Sequence, residues 1–172
     1  MSARRLALTG ACLLAGLAPP GPATAAPANS VGQSIYLRGV LGSGAPLEGT
    51  REAGGVVTTG ADAACVNCHQ RSGIGSVEGR VSIPPITGVY LFHSRTHDGS
   101  EPVLPYVEGM HGRDPYTDAT LARAIREGLD SQGRPLSYLM PRFALSDEDM
   151  AALVGYLKTL SVRQVPGVTD TV

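Results

Sequence analysis

Apolar residues recur at helical spacing in three parts of the chain and thin out between them. The clearest run is LSDEDMAALVGYLKTLS, where Met150, Leu153, Val154, Leu157 and Leu160 fall on one stripe. Ser146 stands as its N-cap, and Asp147, Glu148 and Asp149 crowd the first turn, where negative charge suits the positive end of the helix dipole. YTDATLARAIREGLD carries a second helix. Thr117 is placed to cap it, Leu121, Ala124, Ile125 and Gly128 share a face, and Gly128 is placed to end it. A third helix is expected from about Val31 to Arg38, capped by Ser30 or Asn29, with Val31, Ile35 and Tyr36 apolar and Gly39 as its stop. A short fourth segment, around Ala63 to Gln70, completes the helical positions.

Between these helices the pattern changes. Residues 39–61 are rich in Gly, Thr and Ala and read as a long surface loop, and residues 71–116, rich in Gly and Pro, read as loop throughout. Nothing in either stretch alternates as paired strands do. The expected fold class is therefore all-α, three to five helices with long loops. Loops of that length in a compact chain usually wrap something or carry a function. There is no internal repeat and no low-complexity tract.

Composition sharpens the picture. With no Trp and two Phe among 172 residues, the chain has little aromatic bulk to fill a core, and a large apolar cofactor at its centre would remove that difficulty. At the N-terminus, Arg4 and Arg5 precede the apolar stretch Leu6 to Ala18, then a Pro-containing segment and the small residues Ala23-Thr24-Ala25-Ala26. That order is a secretory signal, expected over about 1–25, and its apolar stretch falls short of the ~20 residues that span a bilayer. Residues 26–172 are then expected to form one domain with its core at about 31–161, exported or periplasmic and with no stable membrane span after cleavage. Removing Arg4 and Arg5 takes the 14 basic residues to 12 against 15 acidic, a formal charge of −3. No basic cluster remains to bind a phosphate backbone, so nucleic acid is not an expected partner.

The chemistry sits in ACVNCHQRSG. Cys65-Val66-Asn67-Cys68-His69 fits C-x-x-C-H, the attachment signature of c-type haem. On a helical turn, residues three apart face the same way, so both sulfurs can form thioethers along one side of a porphyrin while His69 places a nitrogen on the iron. Three other readings exist. A disulfide between Cys65 and Cys68 leaves His69 without a purpose. A thioredoxin-like pair needs a βαβ setting, which the pattern lacks. Zinc held by Cys65, Cys68, His93 and His97 has permitted ligand spacings, but it too leaves His69 idle.

A second protein ligand on the iron suits electron passage, and a thioether in that place raises the reduction potential. Met150 lies on the apolar face of the last helix, where it reads as core packing. Met140, in SYLMPRF, stands between two helices with Pro141 holding its backbone extended, which favours it as the distal ligand. Met110, His93, His97 and His111 are the other candidates. Arg80, Arg95, Arg113 and Arg142 are candidates for the haem carboxylates.

With these residues in place, the chain resembles class I c-type cytochromes of the monohaem, bacterial periplasmic kind, over most of residues 31–161. Gly32 to Tyr36 resembles the family's first helix, whose Gly and aromatic pack against an aromatic of the last helix, here Tyr156. Pro84-Pro85-Ile86-Thr87-Gly88 resembles the loop whose Pro carbonyl accepts a hydrogen bond from the haem-ligating His, so the resemblance implies that Pro84 orients His69. Two insertions, at 39–61 and 93–115, depart from the family pattern and resemble those of bacterial electron carriers and accessory subunits. The resemblance implies a cytochrome c-like fold around one covalent haem c, redox proteins as partners, and an electron carrier without catalytic residues. The alternatives are a haem subunit of a dehydrogenase complex and an open-site haem enzyme or sensor.

Overall fold

Helix α1 (Ala28–Arg38) and helix α5 (Asp147–Thr159) form the main packing pair of this computed structural model, which describes residues 28–51, 55–79, 81–93 and 113–161. Their close crossing depends on Gly32. A Cβ there would lie 2.1 Å from the Ala152 carbonyl oxygen, so no larger residue allows the two backbones to approach this far. One turn later Tyr36 is fully buried, with its ring centroid 5.4 Å from that of Tyr156 at a tilt of 54°. At the start of α5, Ser146 Oγ accepts from the Asp149 N–H at 3.1 Å, and Asp149 Oδ1 accepts from the Gly42 N–H at 2.8 Å. The cap thereby also tethers the chain that leaves α1.

Helix α4 (Asp118–Glu127) forms where the apolar spacing places it. Thr117 and Thr120 exchange side-chain and backbone hydrogen bonds at its start, and it stops at Gly128 in the left-handed region, φ 72 and ψ 33. Leu121, Ala124 and Ile125 are buried on its inner face. The short helix α2 (Val66–His69) lies between α1 and the loops, and α3 (Gly88–Phe92) packs on α5 behind the N-cap Thr87.

The all-α expectation needs correction in the segments expected to be loop. Strands β1 (Glu48–Thr50), β2 (Val57–Thr59) and β5 (Arg142–Phe143) form an antiparallel sheet in the order β2-β1-β5, with Gly49 opposite Phe143 and Thr50 opposite Arg142. Strands β3 (Ser76–Glu78) and β4 (Val81–Ile83) pair as a hairpin. Each has two or three residues, too few for an alternating pattern to register, and three of them are built mainly of Gly, Thr, Ser and charged residues. Nor is 39–61 a surface loop throughout. Leu47 is 2% exposed, and its N–H and carbonyl bond Gly39 and Gly60 at 2.8 Å each, which turns the segment inward.

The buried residues do not meet in a filled centre. Leu47, Leu91, Leu121, Ile125, Leu153 and Leu157 form parts of the wall of one cavity of about 470 Å³ that opens in part to the surface. The aromatic-poor composition is thus matched by a core that leaves space beside it. The expected signal segment, together with Arg80, Arg95, His97, Met110 and His111, lies outside the described residues.

Candidate functional site

The C-x-x-C-H segment is shaped by what surrounds it. A 3₁₀ turn (Gly60–Ala63) leads into extended Ala64; Cys65 then takes right-handed helical angles as the N-cap of α2, and the His69 N–H bonds the Cys65 carbonyl at 2.9 Å. Asn67 Nδ2 donates to the Ala61 carbonyl at 2.8 Å and stitches the turn to the helix. Directly after His69, Gln70 adopts φ 64, alone among the described non-glycine residues in having positive φ. Its carbonyl accepts the Tyr36 hydroxyl at 2.6 Å, so the buried tyrosine of α1 holds the chain in that unfavourable turn.

Both cysteines are free thiols, one helical turn apart, and both line the cavity. Burial among apolar groups pushes the Cys65 thiol up to about 12, so it stays protonated at neutral pH. With neither sulfur in a disulfide, the disulfide reading has no support here. No group of three or more His, Cys, Asp or Glu able to hold a metal ion occurs among the described residues, and His93 is exposed. The thioredoxin-like setting does not occur among the described residues either, where the strands pair antiparallel.

His69 is 6% exposed and lines the same cavity. Its Nδ1 lies 3.1 Å from the Pro84 carbonyl oxygen. A carbonyl only accepts, so Nδ1 carries the proton and Nε2 is left with its lone pair and no hydrogen bond among the described residues. Burial lowers the pKa of His69, and the Pro84 bond opposes that shift in part. The ring is therefore neutral, which is the form a metal binds. Pro84 follows β4 directly, so the hairpin and the rigid Pro84-Pro85 pair set the position of this acceptor.

Met140 reaches the cavity from a segment more than 70 positions further along the chain. A turn closed by the Met140 N–H on the Ser137 carbonyl at 3.1 Å shapes its backbone. Met150 is packed into the core instead, at 3% exposure.

The arginines separate by partner. Arg113 is engaged with the carbonyls of Tyr90, Leu91 and Asp114, and it stacks 4.3 Å over the Tyr116 ring. Arg142 Nη1 donates to the Met140 carbonyl at 2.6 Å. Arg51, which sequence reasoning missed, lines the cavity with its Nε buried and unpartnered among the described residues. A buried donor without an acceptor is costly, and a carboxylate in the cavity would relieve it. No sequence signal marks this arginine, because a charge among Gly and Thr looks solvated until the β1–β2 hairpin folds against the cavity.

Two thiols on one helical turn, a neutral imidazole whose Nε2 has no hydrogen bond among the described residues, a thioether, an apolar wall and a guanidinium whose buried Nε lacks a partner there fit an iron porphyrin with its two carboxylates. A family model described as Cytochrome c matches residues 58–161, more than half of the chain. No curated protein and no solved structure gave a match.

Proposed function

The chain belongs to the cytochrome c family, with one covalently attached haem c and a role in electron transfer between redox proteins; on that premise we propose that it is an exported, periplasmic carrier with His69 and Met140 as axial ligands. The haem iron supplies the one-electron change. The residues of the chain do the rest. Cys65 and Cys68 anchor the group from one helical turn, so that it cannot be lost by dilution outside the cell. His69 gives Nε2 to the metal while Pro84 holds the opposite ring nitrogen, which prevents rotation of the imidazole and increases its donor strength. With the haem bound, the apolar wall would limit the water around the metal and favour the state of lower charge. Arg51 is placed to pair a carboxylate.

The observation that carries this reading is the His69–Pro84 contact inside a cavity that Met140 also lines. The N-terminal Arg pair, apolar stretch and small-residue run support export. No helix among the described residues is long and apolar enough to cross a membrane.

The test is spectroscopic. Mature protein made in a host equipped for haem attachment should keep its haem in acid–acetone, and its reduced form should bind carbon monoxide slowly and weakly. Met140→Ala should lower the reduction potential by on the order of 0.1 V and open the iron to carbon monoxide. An unchanged potential and spectrum would remove Met140 from the iron. Fast, tight carbon monoxide binding by the unmutated protein would instead establish an open site.

A further inference from the structure

Arg142 makes two contacts that together join the end of α4 to the Met140 backbone. Its Nη1 donates to the Met140 carbonyl at 2.6 Å. Its guanidinium also lies against Gly128, where a Cβ would come within 1.8 Å of Cζ, 1.9 Å of Nε and 2.1 Å of Nη2. Gly128 therefore does more than end α4 in the left-handed region. Its bare Cα leaves the slot in which the guanidinium sits. The Gly128 carbonyl also accepts from the Leu136 N–H at 2.7 Å, so one glycine anchors both the start of the Met140 segment and the arginine that grips its end. Arg142 is fixed in turn by β5, where it stands opposite Thr50.

We propose that Arg142, seated on Gly128, is a positioning residue that sets how firmly Met140 presents its sulfur to the iron. The inference rests on reading Met140 as the distal ligand. An iron–thioether bond is weak, so its lifetime depends on how much the backbone behind the sulfur can move. A guanidinium–carbonyl bond is charge-assisted and directional, and it acts on the carbonyl of the ligand residue itself. Lysine carries the charge but not the planar fork, so it replaces only part of this grip.

The experiment uses the full haem-loaded protein and measures two things: the ferric absorption from sulfur–iron charge transfer, and the rate at which imidazole displaces the distal ligand. Arg142→Ala should weaken the absorption and speed imidazole binding by about tenfold or more. Arg142→Lys should fall between Arg142→Ala and the parent, and Gly128→Ala, which evicts the guanidinium, should move both readouts as Arg142→Ala does. Ala151→Gly, on the exposed face of α5, serves as a control that loosens the fold without touching this contact, and it should leave the rate within twofold. If Met140→Ala abolishes the absorption while Arg142→Ala and Arg142→Lys leave it and the rate unchanged, the positioning role is overturned and Met140 remains the ligand. If Met140→Ala leaves the absorption unchanged, the ligand reading fails and the inference fails with it.

Discussion

Nδ1 of His69 lies 3.1 Å from the carbonyl oxygen of Pro84, a contact that reaches 15 positions along the chain and leaves Nε2 as the free nitrogen of a buried ring. The acceptor belongs to the backbone, so its value lies in where Pro84 holds it. Pro84→Ala keeps the carbonyl but frees the chain that carries it. The variant should retain the haem spectrum and lose about 0.4–1 kcal/mol of stability, a fall of about 1–4 °C in the thermal midpoint. Loss of haem attachment would show that the proline ring does more than stiffen this turn.

Replacing both attachment residues, Cys65→Ser with Cys68→Ser, should yield the mass of bare polypeptide. Without the haem, the apolar wall of a partly open cavity of about 470 Å³ would face water, and the burial that holds α1, α4 and α5 together would be incomplete. The double variant should therefore lack a cooperative thermal transition in circular dichroism. A sharp transition near that of the parent would mean that the core can close on itself.

Two helical glycines should respond in opposite directions. Gly32→Ala forces a Cβ to within 2.1 Å of the Ala152 oxygen and should lose about 2–3 kcal/mol in urea denaturation as α1 lifts from α5. Gly155, inside α5, has no atom within 4 Å of where its Cβ would stand, so Gly155→Ala should gain up to about 1 kcal/mol. Equal effects of the same sign would contradict the packing described here.

Asp130 gives the acid limb of stability. Burial alone would raise its pKa, but the N–H groups of Arg134 and Gln132 and the Arg134 guanidinium at 2.8 Å outweigh that, and the net shift is downward. A depressed folded value means that the stabilisation is complete above the ordinary carboxylate range and is lost as pH falls through the folded value. Asp130→Asn should therefore destabilise the protein at neutral pH, and the gap from the parent should narrow in acid. Urea midpoints measured from pH 7 down to about pH 3 check this; a gap that stays constant would show that the Asp130 charge contributes nothing.

Much of the helical frame is legible in the sequence because its causes are local. Ser146, Thr117 and Gly128 are caps whose partners lie three or four residues away, and the apolar stripes of α4 and α5 are visible within a single window. Helix α3 and the five short strands are not legible. At two to five residues they carry no period of their own and exist because distant segments pair, as Thr50 does with Arg142. The arginines show the same limit. Arg142, a candidate for the haem carboxylates, turns to the Met140 carbonyl, while the unremarked Arg51 faces the cavity.

Neighbour spacing alone points to the attachment chemistry, since C-x-x-C-H sets two sulfurs and an imidazole along one helical turn, and periodicity alone marks the segments that become long helices. That Tyr36 holds the turn after His69, that Arg51 Nε has no partner at the cavity among the described residues and that Gly128 makes room for the guanidinium behind Met140 emerge only from the packed fold. Those relations join residues far apart in the chain, and no local pattern records them, because each depends on which backbones the packing of α1, α4 and α5 brings together.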